Sequence, residues 1–146
     1  MTGNFIGIIG VAVCVLLCGI GSAIGLYKTG SAAAGVLGEN PKKYGQVLVL
    51  VLLPATQGIY GFIIGIIASS GLSASLSWEA GWALFGQVLP MALSGLITGI
   101  LQGKSAVNCI YAAGKQDKLG MKLLLYPAMI EFYAILGLII SIMLVA

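Results

Sequence analysis

Four long apolar stretches run along the chain, and short polar segments separate them. They lie near residues 5–27, 46–70, 82–101 and 121–145. Each approaches or exceeds the ~20 apolar residues that a helix needs to cross a bilayer. Because lipid offers the backbone no hydrogen-bond partners, a spanning segment must be helical unless it closes into a barrel. The pattern therefore predicts an all-α membrane protein with four transmembrane helices.

The overall composition agrees with this pattern. The chain is 60% hydrophobic and only 8% charged, which is more apolar surface than a soluble chain of 146 residues could bury. The first stretch lacks a preceding basic segment and a small-residue cleavage site, so we expect a permanent helix rather than a signal peptide. Three cysteines in or near apolar helix are interpreted as packing residues rather than disulfides or metal ligands.

Lysines, the basic residues of this chain, are confined to two of the three connections. By the positive-inside rule, loops 38–45 and 114–120 should be cytoplasmic, and both termini should lie on the opposite side. The 71–81 connection carries no lysine, and Trp78 and Trp82 are expected to anchor it at the interface. The lysines are Lys28, Lys42 and Lys43 around the first loop, and Lys104, Lys115, Lys118 and Lys122 around the second.

The two halves of the chain resemble each other at an offset of 74 residues. Each half has a helix rich in small residues, a basic turn and a proline-bearing helix with a central polar residue. The pattern predicts two duplicated helical hairpins in parallel orientation, over residues 1–73 and 74–146. Small residues also let helices approach closely in lipid. At this offset Gly21 matches Gly95, Gly25 matches Gly99, and Gln57 matches Glu131.

Glu131 is the one carboxylate inside an apolar stretch. It lies about ten residues beyond Met121, so a rise of ~1.5 Å per residue places it ~15 Å deep. That depth is near the midplane of a ~30 Å hydrocarbon layer. A carboxylate at this depth must be protonated, paired or bound to a cation, and an intramembrane acid is by default a functional site.

Polar side chains in the second apolar stretch should face Glu131. Pro54 cannot donate a backbone hydrogen bond, so it should displace the carbonyl of Leu50 and loosen the helix there. The residues that follow at helical spacing share one face, and in lipid such polar groups need partners. This face contains Leu53, Thr56, Gln57 and Tyr60.

The second hairpin adds an amide at the same level. If its turn is centred between residues 116 and 117, Gln102 and Glu131 are equally far from it along antiparallel helices. One carboxylate, two amides and two hydroxyls could therefore converge near the midplane. Oxygen ligands suit a hard cation, and a single carboxylate neutralises a monovalent ion. The candidates are Na⁺ or H⁺, and the number of polar groups favours Na⁺ because a proton needs no further ligands.

Three motifs together resemble the proteolipid (c or K) rotor subunit of V-type rotary ATPases, especially the bacterial sodium-translocating type. They are Leu53-Pro-Ala-Thr-Gln-Gly-Ile-Tyr-Gly-Phe62, Gln102-Gly-Lys and Ile130-Glu-Phe-Tyr-Ala-Ile-Leu-Gly137. The resemblance covers nearly the whole chain. It implies that Glu131 carries the ion and that Tyr60 hydrogen-bonds its carboxylate. It further implies that Na⁺ is also bound by Thr56, Gln57, Gln102 and the backbone carbonyl of Leu53.

The resemblance also implies a cellular setting. Many copies would form a homo-oligomeric ring in a bacterial cell membrane, surrounded by lipid, with the first and third helices lining its inside. A stator subunit would supply an essential arginine, and central-stalk subunits would bind the cytoplasmic turns. ATP hydrolysis would occur in other subunits, because this chain has no ATP site. Nucleic acid is not an expected partner.

Two other interpretations compete with a rotor subunit. Small cation or multidrug antiporters also use a lone membrane glutamate, although theirs typically lies in the first helix among aromatic residues. A purely structural proteolipid or pore would leave the groups around Glu131 unexplained. Lys28, which parallels Gln102 in the repeat, has no assigned role beyond reaching towards the interface.

Overall fold

The computed structural model describes residues 3–116, 119 and 122–146. Four segments are long and apolar enough to cross a membrane, and they confirm the four predicted spans: Gly3–Glu39, Pro41–Ser69, Trp78–Lys115 and Lys122–Val145. Lys118 and Met121, and with them part of the predicted 114–120 loop, lie outside the described residues. The α-helices are α1 (Gly3–Glu39), α2 (Tyr44–Leu52), α3 (Thr56–Ser69), α4 (Trp78–Lys115) and α5 (Leu125–Val145), and 3-10 turns cover Pro41–Lys43, Leu53–Ala55 and Lys122–Leu124.

The helices α1 and α4 are longer than the apolar stretches that predicted them. With 37 and 38 residues, each is about 55 Å long at ~1.5 Å per residue, well beyond a ~30 Å hydrocarbon layer. The sequence placed Gly38 and Glu39 in a turn, but α1 continues to Glu39 because the first proline comes only at position 41. Likewise α4 already includes Trp78 and Glu79, since Ser77 caps its first turn.

Glycines bring α1 and α4 into backbone contact, and no other pair of helices packs as extensively. A Cβ added to Gly21 would lie 2.6 Å from the carbonyl oxygen of Gly95, and one added to Gly99 would lie 2.7 Å from the carbonyl carbon of Gly21. A Cβ on Gly103 would likewise lie 2.5 Å from the Cα of Gly25. The contacts advance in the same direction along both helices, so the two hairpins are parallel, as predicted.

The second span is interrupted at its proline. The α-helix α2 ends at Leu52, a 3-10 turn covers Leu53–Ala55, and α3 restarts at Thr56. The Thr56 N–H therefore donates to the carbonyl of Leu53 three residues back instead of continuing the α-helical pattern. The predicted loosening occurs. The release of the Leu50 carbonyl by Pro54 stays a prediction. The side chain of Thr29 in α1 donates to the carbonyl of the next residue, Val51.

The last span packs against α4 through small and polar residues. Gly137 fits against Ser94 and the carbonyl oxygen of Pro90. Ser141 is fully buried, and its hydroxyl accepts a hydrogen bond from the Met91 backbone N–H at 3.1 Å. The opposite face of α5 exposes large apolar side chains, which suits lipid or a neighbouring protein. Examples are Phe132, Leu136, Ile140 and Met143.

Two further features of the packing concern cysteines and a lysine. The three cysteines are free and buried, and Cys14 and Cys18 pack in one core cluster with Met91, which confirms their interpretation as packing residues. Lys43 is only 4% exposed. Its ammonium donates to the carbonyl of Ala113 at 2.8 Å, in the last turn of α4. A cation there complements the negative end of the helix dipole.

Candidate ion-binding site

The break in the second span places three groups on one helix face. In the 3-10 turn, the carbonyl of Leu53 accepts from the Thr56 hydroxyl at 2.9 Å as well as from the Thr56 backbone N–H. Gln57 follows on the first turn of α3 and is fully buried. The carbonyl, the hydroxyl and the amide are therefore held within one helical turn of each other.

A chain of amides connects this turn to the carboxylate. The Gln57 amide donates from Nε2 to Oε1 of Gln102 at 2.6 Å. The Gln102 amide in turn donates from Nε2 to Oε2 of Glu131 at 2.8 Å, and it also lies 3.2 Å from the carbonyl oxygen of Pro127. Gln102 and Glu131 are thus level, as the register of the second hairpin predicted. Both glutamines have no exposed surface.

Tyr60 completes the contacts of the carboxylate. Its phenol donates to Oε1 of Glu131 at 2.7 Å. Each carboxylate oxygen therefore accepts one hydrogen bond, from Tyr60 on one side and Gln102 on the other. Hydrogen bonds to a charged group are among the stronger ones in proteins, at about 1.5–3 kcal/mol. The two bonds fix the orientation of a side chain that is itself only partly buried.

One buried oxygen in this group is left over. Oε1 of Gln57 has no hydrogen-bond partner among the residues that the structure describes. A buried polar atom without a partner costs about 1–3 kcal/mol, so it is a place where a ligand can bind. The residues hydrogen-bonded to Gln57 through Gln102, or lying on the turn before it, offer a carboxylate, a hydroxyl and a backbone carbonyl. Together with the Gln57 amide oxygen, these are ligands that hard cations prefer.

The predicted site residues thus form two hydrogen-bonded groups in the structure. Hydrogen bonds join Gln57, Gln102, Glu131 and Tyr60, while Leu53 and Thr56 pair on the preceding turn of the same face. Lys28 lies elsewhere. It lines a separate cavity of about 500 Å³ between α1 and α4, together with Tyr27, Ser31, Lys104, Asn108 and Tyr111.

Sequence reasoning missed three groups around the site. The carbonyl of Pro127 lies next to Gln102, and two hydroxyls of α1, on Ser22 and Thr29, contact the second span. The only signal in the sequence was Pro54, which must leave backbone groups of the second span without helical partners; Pro127 frees the carbonyl of Leu123 rather than its own. Which side chain supplies those partners depends on how the helices are rotated against each other.

The chain is similar to known proteins over almost its whole length. It matches the family described as the ATP synthase C subunit twice, over residues 9–68 and 85–144. It is 41% identical over 143 residues to V-type sodium ATPase subunit K of Enterococcus hirae, covering 98% of this chain and 92% of that protein. It is 34% identical over 139 residues to A-type ATP synthase subunit K of Methanocaldococcus jannaschii, covering 95% and 61%.

The chain belongs to the V-type ATPase proteolipid family. The human V-type proton ATPase 16 kDa proteolipid, at 22% identity over 141 residues, covers 97% of this chain and 91% of its own length. The present proteolipid is a rotor subunit of a multisubunit ATPase and a multi-pass membrane protein. The two family matches fall on the two hairpins, so the duplication is confirmed. They also favour the rotor interpretation over the antiporter. The boundary between residues 73 and 74 stays a prediction.

Proposed function

We propose that this proteolipid carries Na⁺ across the membrane on Glu131, with H⁺ as the competing ion. The observation that supports this most directly is Oε1 of Gln57, a buried oxygen without a donor in the described part of the chain. Its side chain is linked through Gln102 to the Glu131 carboxylate. The Enterococcus hirae relative is named as a sodium ATPase subunit, which also favours Na⁺.

The ligands we propose for Na⁺ are oxygens from both hairpins. The first hairpin offers the Leu53 carbonyl, the Thr56 hydroxyl and Oε1 of Gln57. The second offers the Gln102 amide oxygen and the Glu131 carboxylate, while Tyr60 orients that carboxylate. With one negative charge, the site becomes neutral when it holds one monovalent ion, whereas a divalent ion would leave a buried positive charge.

A proton remains the alternative cargo. A protonated carboxyl is neutral by itself and needs no shell of oxygens, so it would use Glu131 and leave the amides as scaffolding. Both ions would occupy the same carboxylate and would therefore exclude each other. The competition between them gives the experiment that separates the two.

The remaining features of the function are also proposals. The large apolar faces of α1, α3 and α5 suit packing between copies in a homo-oligomeric ring and contact with lipid. A stator subunit would present an arginine that displaces the ion from Glu131. Central-stalk subunits would bind the turns at 38–45 and 114–120. The lysines favour a cytoplasmic position for these turns, with both termini on the other side. ATP hydrolysis would take place in other subunits, and no catalytic residue is proposed here.

Carbodiimide labelling of the purified ring tests the choice of ion. Carbodiimides react with protonated carboxyls in apolar surroundings, and mass spectrometry locates the adduct. We expect labelling at Glu131 that Na⁺ suppresses progressively and that falls as the pH rises. Glu131→Gln should assemble normally but take no label and transport no ion. If labelling of Glu131 were independent of Na⁺ at every pH, the cargo would be H⁺.

A further inference from the structure

Two hydroxyls of α1 bracket the break in the second span. Ser22 accepts a hydrogen bond from the Gly58 backbone N–H at 2.7 Å. Thr29 donates to the carbonyl of Val51 at 3.0 Å. Between them on the same face of α1 lies Gly25, and a Cβ added to Gly25 would be 2.5 Å from the Cβ of Pro54. The three positions 22, 25 and 29 thus meet the second span after, at and before its proline.

The two bonds reach backbone groups at the ends of the two helices that the break separates. Val51 lies in the last turn of α2, where carbonyls lack intrahelical donors. Gly58 is the third residue of α3, where N–H groups lack intrahelical acceptors. A serine or threonine that precedes a helix normally supplies such a cap from its own chain segment. Here a neighbouring helix supplies a cap to each end of the interruption.

We propose that Ser22 and Thr29 are positioning residues that set the Na⁺ affinity of the site by holding this break in one geometry. The proposal rests on the proposed function, because the bracketed segment contains Leu53, Thr56 and Gln57. Ion ligands must be held to within about 0.5 Å by the groups behind them. Moving Val51 or Gly58 moves the adjoining carbonyl, hydroxyl and amide directly.

The second hairpin lacks this pair of hydroxyls, although the Cys109 thiol of α4 donates to the carbonyl of Leu123, four residues before Pro127, at 3.4 Å. At the offset of 74 residues, Ser22 corresponds to Leu96 and Thr29 corresponds to Gly103, neither of which has a hydroxyl. Among the ligands proposed for Na⁺, α5 supplies the Glu131 side chain and no backbone carbonyl, since the Pro127 carbonyl contacts Gln102 instead. The hydroxyl pair therefore occurs in the half of the chain whose backbone is proposed to bind the ion.

The bonds also differ from the ordinary hydroxyl contacts of membrane helices. Thr29 is fully buried, and its hydroxyl lies 3.2 Å from the carbonyls of Gly25 and Leu26 in its own helix, so its hydrogen is shared with them. The carbonyl of Val51 is the nearest of the three acceptors. Ser31 has only the ordinary contact, donating to the carbonyl of Tyr27 four residues back on the exposed surface. It is therefore a matched control on the same helix.

The test measures the Na⁺ concentration that halves carbodiimide labelling of Glu131 in intact purified rings. Ser22→Ala and Thr29→Val remove one cap each, and we expect each to raise this concentration about tenfold or more. Thr29→Ser keeps the hydroxyl and should stay within about twofold of the parent, as should Ser31→Ala. Ring assembly on a denaturing gel and the melting temperature in the absence of Na⁺ are recorded for every variant.

The outcomes distinguish a failure of this proposal from a failure of the proposed function on which it rests. If Ser22→Ala and Thr29→Val melt at a lower temperature but keep the parent's response to Na⁺, the hydroxyls are structural only and the proposal fails. If the parent ring shows no Na⁺ response at all, the proposed function fails first. Should one variant not assemble, the other still tests the claim, because each removes one end of the bracket.

Discussion

Replacing Gln57 with leucine separates the ion-binding role of its amide from its role in packing. The substitution keeps the approximate size of the side chain but removes both the Nε2 donor to Gln102 and the unpartnered Oε1. The amide oxygen of Gln102 would lose its donor, at a cost of about 1–3 kcal/mol. The loss of the unpartnered Gln57 oxygen offsets a similar amount. The net change in stability without Na⁺ should therefore be small.

Na⁺ binding should respond much more strongly than stability. If Oε1 of Gln57 is a ligand, its removal costs about as much as a hydrogen bond to a charged group, about 1.5–3 kcal/mol. At about 1.4 kcal/mol per factor of ten, the Na⁺ affinity should fall by about ten- to a hundredfold. The assay is the Na⁺ concentration that halves carbodiimide labelling of Glu131, with the melting temperature of the Na⁺-free ring measured in parallel.

The matched control is Gln87→Leu, the same chemical change on α4 fifteen residues before Gln102. At ~1.5 Å per residue it lies ~22 Å from the level of the site, so its Na⁺ response should equal that of the parent. If Gln57→Leu left the Na⁺ response unchanged while lowering the melting temperature, Gln57 would be a packing group. Oε1 of Gln57 would then not be a ligand of the ion.

Two further predictions concern the scaffold around the site. Gly99→Ala should prevent ring assembly or strongly lower the melting temperature, because the added methyl meets backbone atoms of Gly21 that cannot move aside. Gly86→Ala on the same helix should assemble, because a Cβ added there has nothing within 4 Å. If Gly99→Ala and Gly86→Ala behaved equally on a denaturing gel, the close contact between α1 and α4 would be contradicted. Lys43→Met should lower the melting temperature, since a cation at a helix C-terminus contributes about 0.3–2 kcal/mol. Lys42→Met, at an exposed position, is the control. If Lys43→Met melted at the same temperature as this control, the bond from Lys43 to Ala113 would be contradicted.

Much of the fold followed from local patterns in the sequence. Apolar stretches predicted the spans because lipid imposes a minimum length on any helix that crosses it. The offset of 74 residues predicted two hairpins, and counting from the turn predicted that Gln102 and Glu131 would be level. Helix ends were less well predicted, as at Glu39 and Trp78, because an apolar stretch marks what lies in lipid and not how far a helix continues beyond it.

The sequence by itself determined that Glu131 is the one acid within an apolar stretch and that Pro54 interrupts the span facing it. Both conclusions follow from residue type and distance along one helix. Only the tertiary structure decided which atoms meet across helices. The caps from Ser22 and Thr29, the Lys43 bond to α4 and the unpartnered oxygen of Gln57 depend on the rotation and offset between helices. Those are set by how closely glycines let two backbones approach, a property of helix pairs rather than of any one stretch.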